Sequence, residues 1–119
     1  MKKIIILTSL LLISVISFGQ SVPAPGEWVQ KSAQDYIDFA GKEWNLSQIQ
    51  KDHIYDYYLN FLAHRSYYFK RKKEGALTAE ETSLLLRSIQ EETTQKITKY
   101  LGIDWREYYR VNREYMKKG

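Results

Sequence analysis

Cysteine is absent from the 119 residues. That excludes both a disulfide framework and a metal site built on thiolates. Proline is scarce, and its two copies, Pro23 and Pro25, fall before residue 26. Nothing beyond that point carries the ring that breaks a helix. No stretch alternates apolar and polar residues with a period of two, so strands are not expected. The only long apolar run, Ile4 to Phe18, is shorter than the ~20 residues a membrane span requires. A strong excess of one charge is missing too, with 18 basic residues against 14 acidic. No phosphate-binding glycine loop, nucleophile elbow or metalloprotease signature occurs. Acid–base chemistry needs carboxylates in a shielded cleft, whereas these fall on outward helix faces. The chain reads as a non-enzyme without a cofactor.

The N-terminus has the layout of a cleavable secretory signal. Lys2 and Lys3 precede an apolar core interrupted only by Thr8, Ser9 and Ser14, and Ser17-Phe18-Gly19 places small residues at −3 and −1 of a cut before Gln20. Residues 1–19 are therefore expected to be removed on export to the periplasm or the exterior. No cysteine follows to carry a lipid. Without Lys2 and Lys3 the balance falls to 16 against 14, a net +2. This mild charge, like the compartment, argues against nucleic acid as a partner.

Residues 20–26 (QSVPAPG) form a linker, and residues 27–119 a single helical domain. The expected fold is all-α, with four helices. The first runs from Glu27 to about Lys42, with Val29, Ala33, Tyr36, Ile37, Ala40 and Trp44 on one stripe. A long second helix runs from Ser47 to Lys73, with Ile54, Tyr58, Phe61, Leu62, Tyr68 and Phe69 on its main arc. Tyr55, Leu59 and Tyr67 lie off that arc and call for a second packing surface. At ~1.5 Å per residue this helix spans about 40 Å, so it must bend or project at one end. The third, Ala79 to Leu101, has a stripe of Leu85, Leu86, Ile89, Thr93, Ile97 and Tyr100, with Arg87, Glu91, Thr94 and Thr98 opposite. Gly102 reads as its left-handed stop. The fourth, Trp105 to about Lys117, closes a C-terminal hairpin and is expected to bury Trp105, Tyr108, Tyr109, Asn112 and Tyr115 or Met116. One core of this size is modest. A dimer through the second helix is one way to bury more.

Three helix starts share one chemistry. Leu46-Ser47-x-x-Gln50, Leu77-Thr78-x-x-Glu81 and Ile103-Asp104-x-x-Glu107 each set an apolar residue before an N-cap, with Glu or Gln three positions on. This is the pattern of a capping box. Leu46-Ser47-x-x-Gln50 resembles the L-T-x-x-Q motif of the small periplasmic chaperones typified by Spy and CpxP. In that family the motif opens the second helix and recurs at the last turn. Here the run up to Leu101 resembles the second copy, although Gly102 and Trp105 stand where Thr and Gln belong. The resemblance implies an ATP-independent chaperone, a thin curved helical dimer that binds unfolding polypeptides on its concave face. A helical adaptor with one folded partner, or a binder of anionic lipid or polysaccharide, remains open beside it.

The candidate client-binding run is Arg65, Tyr67, Tyr68, Lys70, Arg71, Lys72 and Lys73. Basic residues at a helix C-terminus also simply oppose the negative end of the dipole. As a binding patch, the run would attract acidic or unfolded chains and hold them on its aromatic rings. The ten tyrosines divide in the same way between core and surface. His53 and His64 stand ~16 Å apart along the helix, too far to share a metal. Asp52, His53 and Asp56 would need a further ligand for tetrahedral zinc, so no metal is expected.

Overall fold

The computed structural model describes residues 25–118; the expected signal peptide and most of the linker lie outside them. Four helices make up the fold: α1 (Glu27–Glu43), α2 (Gln48–Lys73), α3 (Ala79–Leu101) and α4 (Trp105–Lys118). There is no strand among the described residues.

Side chains that compete for backbone groups decide where the last three helices start, whereas α1 begins after Gly26 without a side-chain cap. Ser47 Oγ accepts from the Gln50 amide at 3.2 Å, and Gln50 Oε1 accepts from the Ser47 amide at 2.9 Å. Thr78 and Glu81 repeat the exchange at 3.0 and 2.8 Å. Each pair satisfies two of the donors that a helix start leaves without partners. The third expected box is only half made. Asp104 Oδ1 caps the Arg106 amide at 2.9 Å, but Glu107 turns outward to Trp44 Nε1 at 3.1 Å and to Arg110 at 2.7 Å. The tertiary contact with α1 outcompetes the local bond.

Backbone shape decides where they stop. Gly75 (φ 83°) and Gly102 (φ 68°) are left-handed, and so is Asn45 (φ 51°), the one described non-glycine residue with positive φ. After each the chain closes with a six-to-one bond: Leu46 N–H to Gly41 O, Ala76 N–H to Arg71 O, and Ile103 N–H to Thr98 O. Three interhelix turns therefore use one Schellman-type device.

α1 runs antiparallel to α2, so that Tyr36 stacks on Tyr58 with ring centres 3.9 Å apart and planes within 9°. α2 and α3 form a long hairpin, and α4 folds back from α3 onto the C-terminal half of α1. The main core gathers Tyr36, Ile37, Ala40, Ile54, Ile97, Tyr108 and Val111 from all four helices. A smaller cluster of Val29, Ala33 and Leu62 continues it between α1 and α2. Because α2 is flanked by α1 and α3, its apolar residues face two sides; Tyr55 packs against both clusters. This is the second packing surface its sequence called for. The far end of the α2–α3 hairpin projects. The molecule measures 57 × 29 × 26 Å, with a radius of gyration of 17.0 Å, against about 13 Å for a compact domain of ~100 residues.

Two expected faces are corrected. On α4 the buried residues are Tyr108 and Val111, whereas Trp105 and Met116 are 57% and 75% exposed and Tyr109 lies at the surface. On α3, Thr94 is buried rather than outward. Its hydroxyl donates to Gln90 O at 2.9 Å, which satisfies the polar atom within the helix and lets the residue pack as an apolar one. Thr82 and Thr93 do the same at 2.8 and 2.7 Å.

Candidate functional site

The helix that fills least of its surroundings makes the site. α4 presents two stripes. Tyr108, Val111 and Tyr115 turn towards the core, while Trp105, Tyr109 and Met116 recur at four and seven residues on an adjoining face. Tyr109 and Met116 on that second face look across a cleft of about 320 Å³ towards α2 and α3, and Trp105 lies outside its lining. Tyr58 and Phe61 of α2 form the floor with Tyr36 of α1 beneath, and Gln90 and Thr93 of α3 form the opposite wall. Arg65 and Arg113 stand on the rim, and the lining contains no carboxylate.

A fixed polar network underlies the floor. Tyr36 donates to Asn112 Oδ1 at 2.6 Å, and Tyr115 donates to Asp35 at 2.8 Å. The Tyr108 hydroxyl lies among the polar groups of Tyr36, Asn112 and Thr94. Burial pushes the Tyr36 phenol far above its ordinary range, Tyr58 up to about 12, and Tyr108 upward as well. Tyr115 is raised by burial and by its bond to Asp35. All four remain neutral phenols at physiological pH.

Beyond Arg65 the surface continues into a shallow shelf of about 260 Å³, edged by Trp28, Leu62 and Phe69. Trp28 is 72% exposed and Phe69 43%. Arg65 lines both recesses and lies over the Phe69 ring, 5.6 Å from its centre. Arg106 covers Trp105 similarly, at 5.4 Å. Cations held against exposed rings give the surface an amphiphilic character.

No protein-family model, curated protein or solved structure matches the chain.

The run singled out in the sequence winds around α2 rather than sharing one face. Arg65 reaches the cleft. Tyr67 is half-buried beneath Arg71, which also pairs with Glu74 at 3.8 Å. Tyr68 is buried towards α3, with His64 against its ring. Lys70 borders a small recess with Val29 and Ala63, while Lys72 and Lys73 are exposed at the projecting end. Of the motif residues, Leu46 and Leu101 pack against the main core, and Ser47, Gln50, Thr78 and Glu81 form the two complete caps. His53 lies against Tyr100 at 4.8 Å. Among the described residues no group of three or more His, Asp or Glu could hold a metal ion, and no helix is long and apolar enough to cross a membrane.

Sequence reasoning missed Gln90, Tyr109, Arg113 and Met116 as site residues. A signal was present. Trp105, Tyr109 and Met116 form an apolar stripe distinct from Tyr108, Val111 and Tyr115, and a 14-residue helix with two apolar stripes has one to spare.

Proposed function

We propose that this chain is an ATP-independent, chaperone-like protein of the cell envelope that binds unfolded or partly folded polypeptides along the cleft and shelf beside α4. One observation carries the reading. Trp28, Phe69, Tyr109 and Met116 are exposed around two recesses that meet at Arg65. Apolar surface of this kind, rimmed by polar groups, marks a site for a partner. A shallow surface with arginines beside its rings suits many weakly held segments better than one rigid ligand. The Leu46-Ser47-x-x-Gln50 start and the resemblance to the Spy and CpxP family support the same function, and export through residues 1–19 supports the compartment.

The test is aggregation of two unrelated, thermally unfolding proteins mixed with the exported protein and no ATP. Suppression of both near equimolar ratio is expected, and it weakens when Tyr109 and Met116 are changed to Ser. Suppression of neither would overturn the reading. Binding to a single folded partner would assign a helical adaptor instead. A second reading, attachment to anionic lipid or polysaccharide, is favoured by exposed Lys72 and Lys73 at the projecting end of α2. Exposed charges more than ~10 Å apart are screened at 0.1 M salt. Changing Lys70, Arg71 and Lys73 to Glu should therefore abolish salt-sensitive vesicle binding if that reading holds, or slow client capture if the run steers clients.

A further inference from the structure

Two arginines are held by acids: Arg110 by Glu107 at 2.7 Å and Glu43 at 3.4 Å, and Arg71 by Glu74 at 3.8 Å. Arg65 and Arg113 are not. Both stand on the cleft, its lining has no acid, and among the described residues neither has a carboxylate within 4 Å. Beneath them lie the Tyr58 hydroxyl and the Gln90 and Asn112 amides, groups that can donate hydrogen bonds to an oxyanion. Beside them lie Phe61, Tyr109 and Met116, which offer apolar contact.

We infer that the cleft selects extended polypeptide segments in which an acidic side chain is flanked by aromatic or aliphatic residues, the carboxylate lying between Arg65 and Arg113. The inference rests on the polypeptide-binding reading above and gives it a chemical preference. Charge complementarity specifies the acid, because two guanidinium groups without a counter-ion favour an incoming carboxylate. Extent favours a chain over a small acid. From Tyr108 to Met116 the α4 wall of the cleft covers about 12 Å of helix axis. An extended backbone advancing ~3.3 Å per residue needs about four residues to follow it. The shelf at Trp28 and Phe69 continues the path past Arg65, and a single aromatic acid in the cleft would leave both ends uncovered.

The experiment measures fluorescence anisotropy of a labelled seven-residue peptide carrying one Glu between Phe and Leu in a Ser/Asn background, beside the same peptide with Gln for Glu. The exported protein should bind the Glu peptide about fivefold or more tightly, a preference that fades with added salt. Arg65→Gln with Arg113→Gln should erase the preference while the circular dichroism spectrum is unchanged. Met116→Glu, which places an acid in the cleft, should weaken the Glu peptide more than the Gln peptide. Equal affinity of the two peptides for the unaltered protein would overturn the inference, and so would a preference that survives loss of both arginines. Displacement by free phenylacetate at concentrations near the peptide's own Kd would overturn it in favour of small aromatic acids. Aggregation suppression separates this from the broader reading. Suppression without an acidic preference sinks only the inference, whereas an acidic preference without suppression sinks the chaperone role.

Discussion

Raising the pH should unfold this protein through its tyrosines before any other group acts. Tyr36, Tyr58 and Tyr108 meet in the main core, where Tyr36 is 1% exposed and Tyr108 4%. Burial raises all three phenols, Tyr58 to about 12. In the unfolded chain each ionises near pH 10. Between that value and the folded one, the unfolded state has lost protons that the native state keeps, so stability falls as pH rises. Tyr36 and Tyr58 each cost roughly 1.4 kcal/mol by pH 11, about 3 kcal/mol together. For a domain of ~100 residues that lowers Tm by about 12–24 °C relative to pH 8. Tyr108 and Tyr115 act in the same direction. Two assays check this: thermal melts followed by circular dichroism from pH 8 to 12, and tyrosinate absorbance in the folded and denatured protein. The folded protein should show a group of phenols that ionise only as helix is lost. A fall of less than 5 °C by pH 11, or all ten tyrosines titrating together near pH 10, would refute the reasoning.

Ser47→Ala removes the acceptor for the Gln50 amide and should cost about 0.5–2 kcal/mol, seen as a lower urea midpoint with unchanged slope. Ile54→Ala empties a fully buried site between α1 and α3 and should cost about 2–5 kcal/mol in the same assay. Asn45→Gly should raise stability by about 0.5 kcal/mol, because glycine meets no steric cost at φ 51°; Asn45→Ala should lower it, and both signs are read from Tm. Mass spectrometry of the exported protein should find Gln20 as the first residue, and an intact Met1 in the mature pool would refute signal cleavage.

Element boundaries were legible because local chemistry decides them. Ser47 and Thr78 cap with the partners their spacing offers, and Gly75 and Gly102 adopt the one conformation that ends a helix and turns the chain. Faces were legible only where a helix packs on one side. α1 does so, and its buried residues Val29, Ala33, Tyr36, Ile37 and Ala40 follow the expected stripe. α4 packs near its turn and along one edge, so its largest residue, Trp105, lies outside the core that Val111 fills. Thr94 misled for a different reason: a residue scale counts its hydroxyl as polar, but the Gln90 carbonyl satisfies that hydroxyl within the helix. The cleft itself was illegible. It exists between residues of all four helices, and no single segment encodes that gap.

The order in which the helices neighbour one another has a kinetic consequence. α1 with α2, α2 with α3, and α3 with α4 are each adjacent in the chain, so most of the packing closes short loops. Only the docking of α4 on α1 joins distant parts, through bonds such as Tyr36–Asn112 and Asp35–Tyr115 that bridge 76 and 80 positions. Proteins dominated by local contacts fold quickly, and the step that closes a long loop comes late. The three-helix part therefore assembles first and α4 seats last. In the folded protein, release of α4 is the cheapest large opening, and hydrogen exchange should find its amides less protected than those of α1. Because α4 forms one wall of the cleft, that same excursion would vary the cleft's width without unfolding the rest.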